Sequence, residues 1–184
     1  LLGRGAMGAV YLARDTQLDR LVALKIPKLS GSGAAKLLAR LKTEAKAAAQ
    51  IDHPSLCHVY DTGDIDGISY IAMQYIEGKT LKQVLETDPK SPREAVELVI
   101  RLAEGLAEAH ARHINHRDLK PENIKINRRG LPVIMDFGLA KLASTVTSDA
   151  GKTQSGTILG SPAYMSPEQA AGKVDDIDHR SDLS

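Results

Sequence analysis

His116-Arg117-Asp118-Leu119-Lys120-Pro121-Glu122-Asn123, followed by Asp136-Phe137-Gly138, is the stretch whose reading decides this chain. It sets a base, a cation and two hard-oxygen ligands close together. Asp118 can accept a hydroxyl proton, Lys120 can lean on a transferring phosphate, and Asn123 and Asp136 offer the oxygens that Mg²⁺ prefers. These are the parts that phosphoryl transfer needs. Between them, Ile124 and Ile126 read as a short strand, Asn127-Arg128-Arg129-Gly130 as a turn, and Val133-Ile134-Met135 as the return strand. A hairpin centred near Arg129 and Gly130 then sets Asn123 roughly opposite Asp136.

Working outward toward the amino terminus, Gly3-Arg4-Gly5-Ala6-Met7-Gly8 has the form Gly-x-Gly-x-x-Gly. That form is shared with dinucleotide-binding folds, which would open a helix next. Here Val10-Tyr11-Leu12-Ala13-Arg14 alternates like a strand, Asp15 to Asp19 is turn-like, and Leu21 to Ile26 is a second strand. The glycines therefore sit in a hairpin, either as a plain turn or as a loop whose bare backbone can close over phosphates. Ser30-Gly31-Ser32-Gly33 is a flexible connector into a helix from Ala34 to Gln50. Leu37, Leu41, Glu44 and Ala48 share one face of that helix, which puts Glu44 on its apolar stripe. A carboxylate there wants a cation. Lys25, in Val22-Ala23-Leu24-Lys25, is one candidate, and a surface pair with Arg40 is the other.

Ile68 to Met73 reads as a linking strand and Tyr75 to Gly78 as a hinge into a helical second half. Ser91-Pro92-Arg93-Glu94 starts a helix with Ser91 as N-cap, Pro92 in the first turn and Glu94 three residues after the cap. Val96, Val99, Ala103, Leu106 and His110 continue one apolar face of it. The chain of 184 residues is 42% hydrophobic and 26% charged with formal net charge +1, enough for one large domain or two small lobes. Its charges are interspersed, which argues against a nucleic-acid partner, and no apolar run approaches the roughly 18 residues of a membrane span. Cys57 is alone, so no internal disulfide forms and a cytoplasmic setting is the simpler reading. The chain begins at Leu1-Leu2 rather than Met and reads as a fragment, so any membrane tether would lie outside it. His110, His113 and His116 recur every three residues, but no carboxylate or Cys set completes a metal site around them.

With these motifs in order, the chain resembles the eukaryotic-like (Hanks-type) serine/threonine protein kinases, the bacterial members above all. The resemblance runs from Gly3 to the end. It implies an α+β, bilobal fold: a small antiparallel sheet lobe with one regulatory helix over residues 1–75, and a partial, mainly helical lobe over 76–184. It also implies ATP and Mg²⁺ as cofactors and proteins as substrates. Gly3, Gly5 and Gly8 would cover the ATP phosphates, Val10 and Ala23 would pack on adenine, and Lys25, tethered by Glu44, would hold the α- and β-phosphates. Met73 matches the gatekeeper, and the backbone of Gln74 and Ile76 would bond the adenine edge. Asp118 would orient and deprotonate the substrate hydroxyl, Lys120 would neutralise the transferred phosphate, and Asn123 and Asp136 would bind Mg²⁺. Lys120-Pro121-Glu122 matches serine/threonine specificity. Residues 136–168 correspond to the activation segment, in which Thr153 and Ser155, with Thr157 third, are the expected autophosphorylation sites and Arg117 the receptor for their phosphate.

Several positions depart from the family pattern. Gln74 stands where an acid is common, and Ser161 and Ser166 replace the commoner Thr and Ala. Ala48 is small for its place, which would make the Lys25 and Glu44 pair easier to break. Lys125 occupies the floor of the adenine pocket, its stem covering the base while the ammonium reaches water. The sequence stops at Asp182-Leu183-Ser184, where the family begins a long central helix. Asp182 is the expected anchor of the His116 and Arg117 backbone, and Glu168 is expected to lack its arginine, so the fragment should be unstable or weakly active. A pseudokinase scaffold would normally show a lost Lys25, Asp118 or Asp136. A small-molecule phosphotransferase is the third reading, disfavoured by the segment from Gly160-Ser161-Pro162 to Glu168.

Overall fold

A computed structural model of the chain describes residues 1–5, 8–28, 34–137 and 162–183. The glycine-rich start forms β1 (Gly3–Gly5), antiparallel to β2 (Gly8–Asp15), which pairs with β3 (Arg20–Pro27). The turn between β2 and β3 is closed by Asp15, whose Oδ1 accepts from the N–H groups of Gln17 and Leu18 at 3.1 and 3.2 Å. After α1 (Ala34–Ala48), β4 (Val59–Ile65) and β5 (Ile68–Gln74) complete a five-stranded sheet in the order β1-β2-β3-β5-β4. β4 escapes the sequence pattern because two aspartates and a glycine, all depleted from strands, interrupt it. One face of the sheet is covered by α1: Leu41 and Ala45 join Ala23, Ile71 and Met73 in a buried cluster. Ala48 is buried too, while the side chain of Leu37 lies outside the described residues.

A second, three-stranded antiparallel sheet is built from β6 (Gly78–Thr80), β7 (Ile124–Asn127) and β8 (Pro132–Ile134). β7 and β8 form the expected hairpin, with Asn127 Oδ1 accepting from the N–H groups of Arg129 and Leu131 at 2.9 and 3.0 Å. Gly78 is needed where β6 meets β7. Its φ is +154°, and a Cβ there would lie 1.9 Å from the Ile126 carbonyl oxygen.

Two helices follow β6. α2 (Leu81–Thr87) is capped reciprocally by Thr80 and Gln83. α3 (Pro92–His110) starts as the sequence predicts: Ser91 Oγ accepts from the Glu94 N–H, and the Glu94 carboxylate accepts from the Ser91 N–H at 2.9 Å. Its buried face differs from the expected one. Leu102, Gly105, Leu106 and Ala109 pack toward β8, in or beside a core that holds Leu56, Ile124, Ile134 and Phe137. Val96 and Val99 are 58% and 59% exposed. The stripe is rotated by about one residue, and its partners among the described residues reach only the carboxy-terminal half of the helix. α4 (Pro167–Ala170) and a 3₁₀ turn at His179–Leu183 close the described chain. No helix among the described residues is long and apolar enough to cross a membrane.

Candidate active site

Lys25 reaches the cleft because of its register. On β3 it stands opposite Val10 of β2 and Ile71 of β5, and only 6% of it is exposed. A buried ammonium needs an anion, and it donates to Asp136 Oδ1 at 2.8 Å. Asp136, in the left-handed region at φ +61°, carries its carboxylate up from the end of β8 to the ammonium, a contact that the sequence reading, which tethers Lys25 by Glu44, does not include. Glu44 itself is half-buried on α1.

The loop from His116 to Asn123 has no regular structure until a 3₁₀ turn at Pro121–Asn123, so side chains hold its shape. Asp182 does most of this. Its Oδ2 accepts from the His116 N–H at 2.7 Å, its Oδ1 from the Arg117 N–H at 2.6 Å, and His110 Nε2 lies 2.8 Å from Oδ2. Arg117 adopts φ +68°, costly for a long side chain, and its carbonyl is fixed by Gln169 Nε2 at 2.6 Å. Gln169 also accepts from the Ser166 N–H at the start of α4, so one residue caps a helix and clamps the loop. The anchor by Asp182 follows the sequence reading. Those by His110 and Gln169 were not foreseen; the Ser166 and Gln169 capping-box spacing is the only local signal for the latter.

Asp118 is reached by two donors. Lys120 Nζ lies 2.9 Å from its Oδ1 and 2.8 Å from its Oδ2, and Asn123 Nδ2 donates to its Oδ2 at 3.0 Å and to its carbonyl at 2.8 Å. Because Asn123 spends its nitrogen on Asp118, its side-chain oxygen remains for another partner. Asp136 likewise keeps Oδ2 beyond its bond to Lys25. The Met135 N–H donates to the Asn123 carbonyl at 2.8 Å, which brings the two residues side by side. Two hard oxygens from the protein, completed by water and phosphate oxygens, suit Mg²⁺.

His116 lies under this arrangement, fully buried, its ring edge-on to Phe137 with centroids 4.9 Å apart. Nε2 donates to the Met135 carbonyl at 2.7 Å, which leaves Nδ1 to accept from the Asp118 N–H at 3.2 Å. Burial pushes its pKa below the ordinary imidazole value. Glu168, expected to lack a cation, is bonded instead by the Ser181 hydroxyl, which holds its carboxyl below the usual range.

Above the loop, Val10 packs against the cluster that holds Ala23 and Met73. Gly8 has φ +133°, and a Cβ there would sit 2.1 Å from the Ile26 carbonyl oxygen, whereas a Cβ at Gly3 or Gly5 would meet nothing within 4 Å. Past β5, the Gln74 N–H is used by the His58 carbonyl at 2.8 Å. The Gln74 carbonyl lies 3.5 Å from Cys57 Sγ, a thiol that burial pushes up to about 12. Lys125, half-buried on β7, donates to the Ile76 carbonyl at 2.9 Å, an acceptor that the sequence reading, which sends the ammonium to water, does not include. Gly138, Ser161 and the expected phosphorylation sites Thr153, Ser155 and Thr157 lie outside the described residues.

Comparison with known proteins bears on this geometry. The family model described as protein kinase domain matches residues 1–183. The chain is 40% identical to the serine/threonine-protein kinase PrkC of Bacillus subtilis over 173 residues, 94% of this chain and 26% of that protein. It is also 40% identical to the serine/threonine-protein kinase pkn3 of Myxococcus xanthus over 189 residues, 100% of this chain and 34% of that one. It thus spans about a quarter to a third of the length of these relatives. Among solved structures, PpkA-294 in its apo form matches with a TM-score of 0.77 at 25% identity, covering 99% of this chain and 69% of that one. The M. tuberculosis PknI kinase domain matches with 0.74 at 29% identity, covering 98% and 64%.

Proposed function

The chain belongs to the protein kinase domain family, and we propose that the protein transfers the γ-phosphate of ATP to serine and threonine hydroxyls of other proteins. The observation that carries this reading is the Asp118 carboxylate, held by Lys120 and Asn123 in a loop that Asp182 fixes from a distance. The substrate hydroxyl oxygen attacks the γ-phosphorus, the bond from phosphorus to the β,γ-bridging oxygen breaks, and ADP leaves. The hydroxyl proton passes to Asp118, and Lys120 offsets charge on the phosphoryl oxygens. Asn123 and Asp136 would hold Mg²⁺, which when bound would neutralise phosphate charge. Lys25 and the Gly3, Gly5 and Gly8 backbone hold the remaining phosphates, and the base lies among Val10, Ala23 and Met73 beside Gln74 and Ile76. Catalysis is positioning and electrostatic stabilisation, without a covalent enzyme intermediate.

Activation runs through residues 136–168, with phosphate on Thr153, Ser155 or Thr157 received by Arg117. In support, Arg117 Nε is buried without a hydrogen-bond partner among the described residues, a donor suited to an incoming anion. The test is phosphate incorporation by the full-length protein, into itself and a generic basic protein, with Mg²⁺ and ATP. Incorporation on serine and threonine that disappears in Asp118→Asn is the expected result. Incorporation that persists in that variant, or none in an ATP-binding, fully activated protein, would overturn the assignment.

A further inference from the structure

The two strand systems are joined by Tyr75, Ile76 and Glu77, and the ion that meets this segment comes from below it. Lys125, on β7, stands opposite Val133 of β8 and Thr80 of β6. From there its ammonium reaches the Ile76 carbonyl at 2.9 Å, 5.8 Å from the centre of the Tyr75 ring. Ile76 is buried, so this carbonyl has little access to water and the ammonium is its strong partner. Gln74 ends β5 and Ile76 lies two residues on, the repeat at which extended backbone turns its carbonyls to the same side. The Gln74 carbonyl has only the weak thiol donor of Cys57, at 3.5 Å, and keeps a lone pair for another partner. Among the described residues the Ile76 N–H meets no backbone acceptor.

The segment therefore offers a ligand one acceptor, one donor and one carbonyl already taken. Adenine matches that sequence along its edge: an amino donor at position 6, an acceptor at N1 and a bare C–H at position 2. A purine with an amino group at position 2 does not match, since its extra donor would face the ammonium instead of a free carbonyl. Guanine has the same amino group and also a donor at N1. We propose that Lys125 sets base selectivity by occupying the Ile76 carbonyl, so that the site takes purines with hydrogen at position 2 and rejects those with an amino group there. This rests on the reading of the cleft as a nucleotide site. It gives Lys125 a role in specificity separate from covering a face of the base.

Equilibrium calorimetry with Mg²⁺ on the full-length protein tests it, comparing ATP with the triphosphate of 2,6-diaminopurine riboside, which differs from ATP only by the amino group at position 2. An unpaired donor facing the Lys125 ammonium should weaken the analogue by about tenfold or more in the wild type. Lys125→Met frees the carbonyl, and the ratio of dissociation constants should collapse to about threefold or reverse. Lys125→Arg retains a cationic donor and should retain the discrimination. Equal affinity for the two nucleotides in the wild type, or the same ratio in wild type and Lys125→Met, would overturn the proposal. The wild-type ratio decides even if a variant fails to fold. Failure of the wild type to bind ATP at all would instead remove the underlying nucleotide-site reading, and the proposal with it.

Discussion

The five-stranded sheet and the loop from His116 to Asn123 each deliver a charged side chain to one cleft by opposite means. Lys25 is placed by repetition: β3 pairs with β2 from Gly8 opposite Pro27 to Asp15 opposite Arg20, and with β5 from Val22 to Lys25. Many equivalent bonds set its position, and each neighbour supports the next. Asp118 is placed by single bonds from distant residues: Asp182 on two N–H groups, Gln169 on one carbonyl, His116 between two backbone groups. None of these has a substitute. Damage in the sheet should therefore be graded, and damage around the loop should be abrupt.

The sharpest way to break this contrast is Asp182→Ala. The carboxylate is buried, and its loss strands the His116 and Arg117 N–H groups and the His110 ring nitrogen. The expected loss is about 3–5 kcal/mol in denaturant unfolding, with phosphate transfer falling as Asp118 loses its position. A loss under about 1 kcal/mol would mean that the loop holds itself, against the comparison. Next comes Gly8→Ala, a place where the sheet depends on a single residue. The φ of +133° and the 2.1 Å approach to Ile26 O predict a loss of about 1–3 kcal/mol, read in the same unfolding experiment. Gly5→Ala, with nothing near its added Cβ, is the control and should scarcely shift the midpoint.

How much of this was legible in the sequence follows the same division. Alternation marked β2, β3 and β5 almost to their ends, and the Ser91, Pro92 and Glu94 signals located the start of α3, because these depend on neighbours within a few residues. β6 was not legible: three residues, Gly78-Lys79-Thr80, have no period, and only their pairing with β7 makes them a strand. The loop's residues and its Asp182 anchor were legible as a motif, but not the clamp by Gln169, which lies 52 residues beyond Arg117 in sequence. Two contacts escape the sequence for one reason: Lys25 bonds Asp136 and Lys125 bonds the Ile76 carbonyl, acceptors that lie far along the chain and that only the tertiary structure brings near.

A smaller effect sharpens the sheet side. Ile71 is fully buried and stands opposite Lys25, so Ile71→Val removes one methylene from the most enclosed part of the sheet. The expected cost is about 0.5–1.5 kcal/mol, with the Michaelis constant for ATP changed by less than about threefold, because the backbone register that places Lys25 does not depend on this side chain. A change in nucleotide affinity much larger than the change in stability would show that the sheet, like the loop, relies on individual contacts.

The smallest effect separates the two regions by pH. His116 has one donor and one acceptor to satisfy, the Met135 carbonyl and the Asp118 N–H, and the neutral ring with its proton on Nε2 serves both. A second proton would face the Asp118 N–H inside a buried site, so the folded imidazole stays neutral below its ordinary value of 6.5. As pH falls past that value the unfolded chain takes up a proton that the folded one does not, and stability is lost. Between pH 7 and pH 6 the loss from this residue is at most about 0.7 kcal/mol, the full cost of leaving the folded ring neutral while the unfolded one protonates. Beside the sheet, Cys57 titrates in the other direction. Its thiol pKa rises from 9.0 to about 12, so its contribution is intact at neutral pH and is lost only as pH climbs through that range. Unfolding midpoints followed from pH 7 down to 5.5 should drop more steeply in the wild type than in His116→Asn, which can keep one donor and one acceptor without titrating. Parallel curves would mean that the ring accepts its second proton in the folded state, and the loop's dependence on one neutral imidazole would have to be given up.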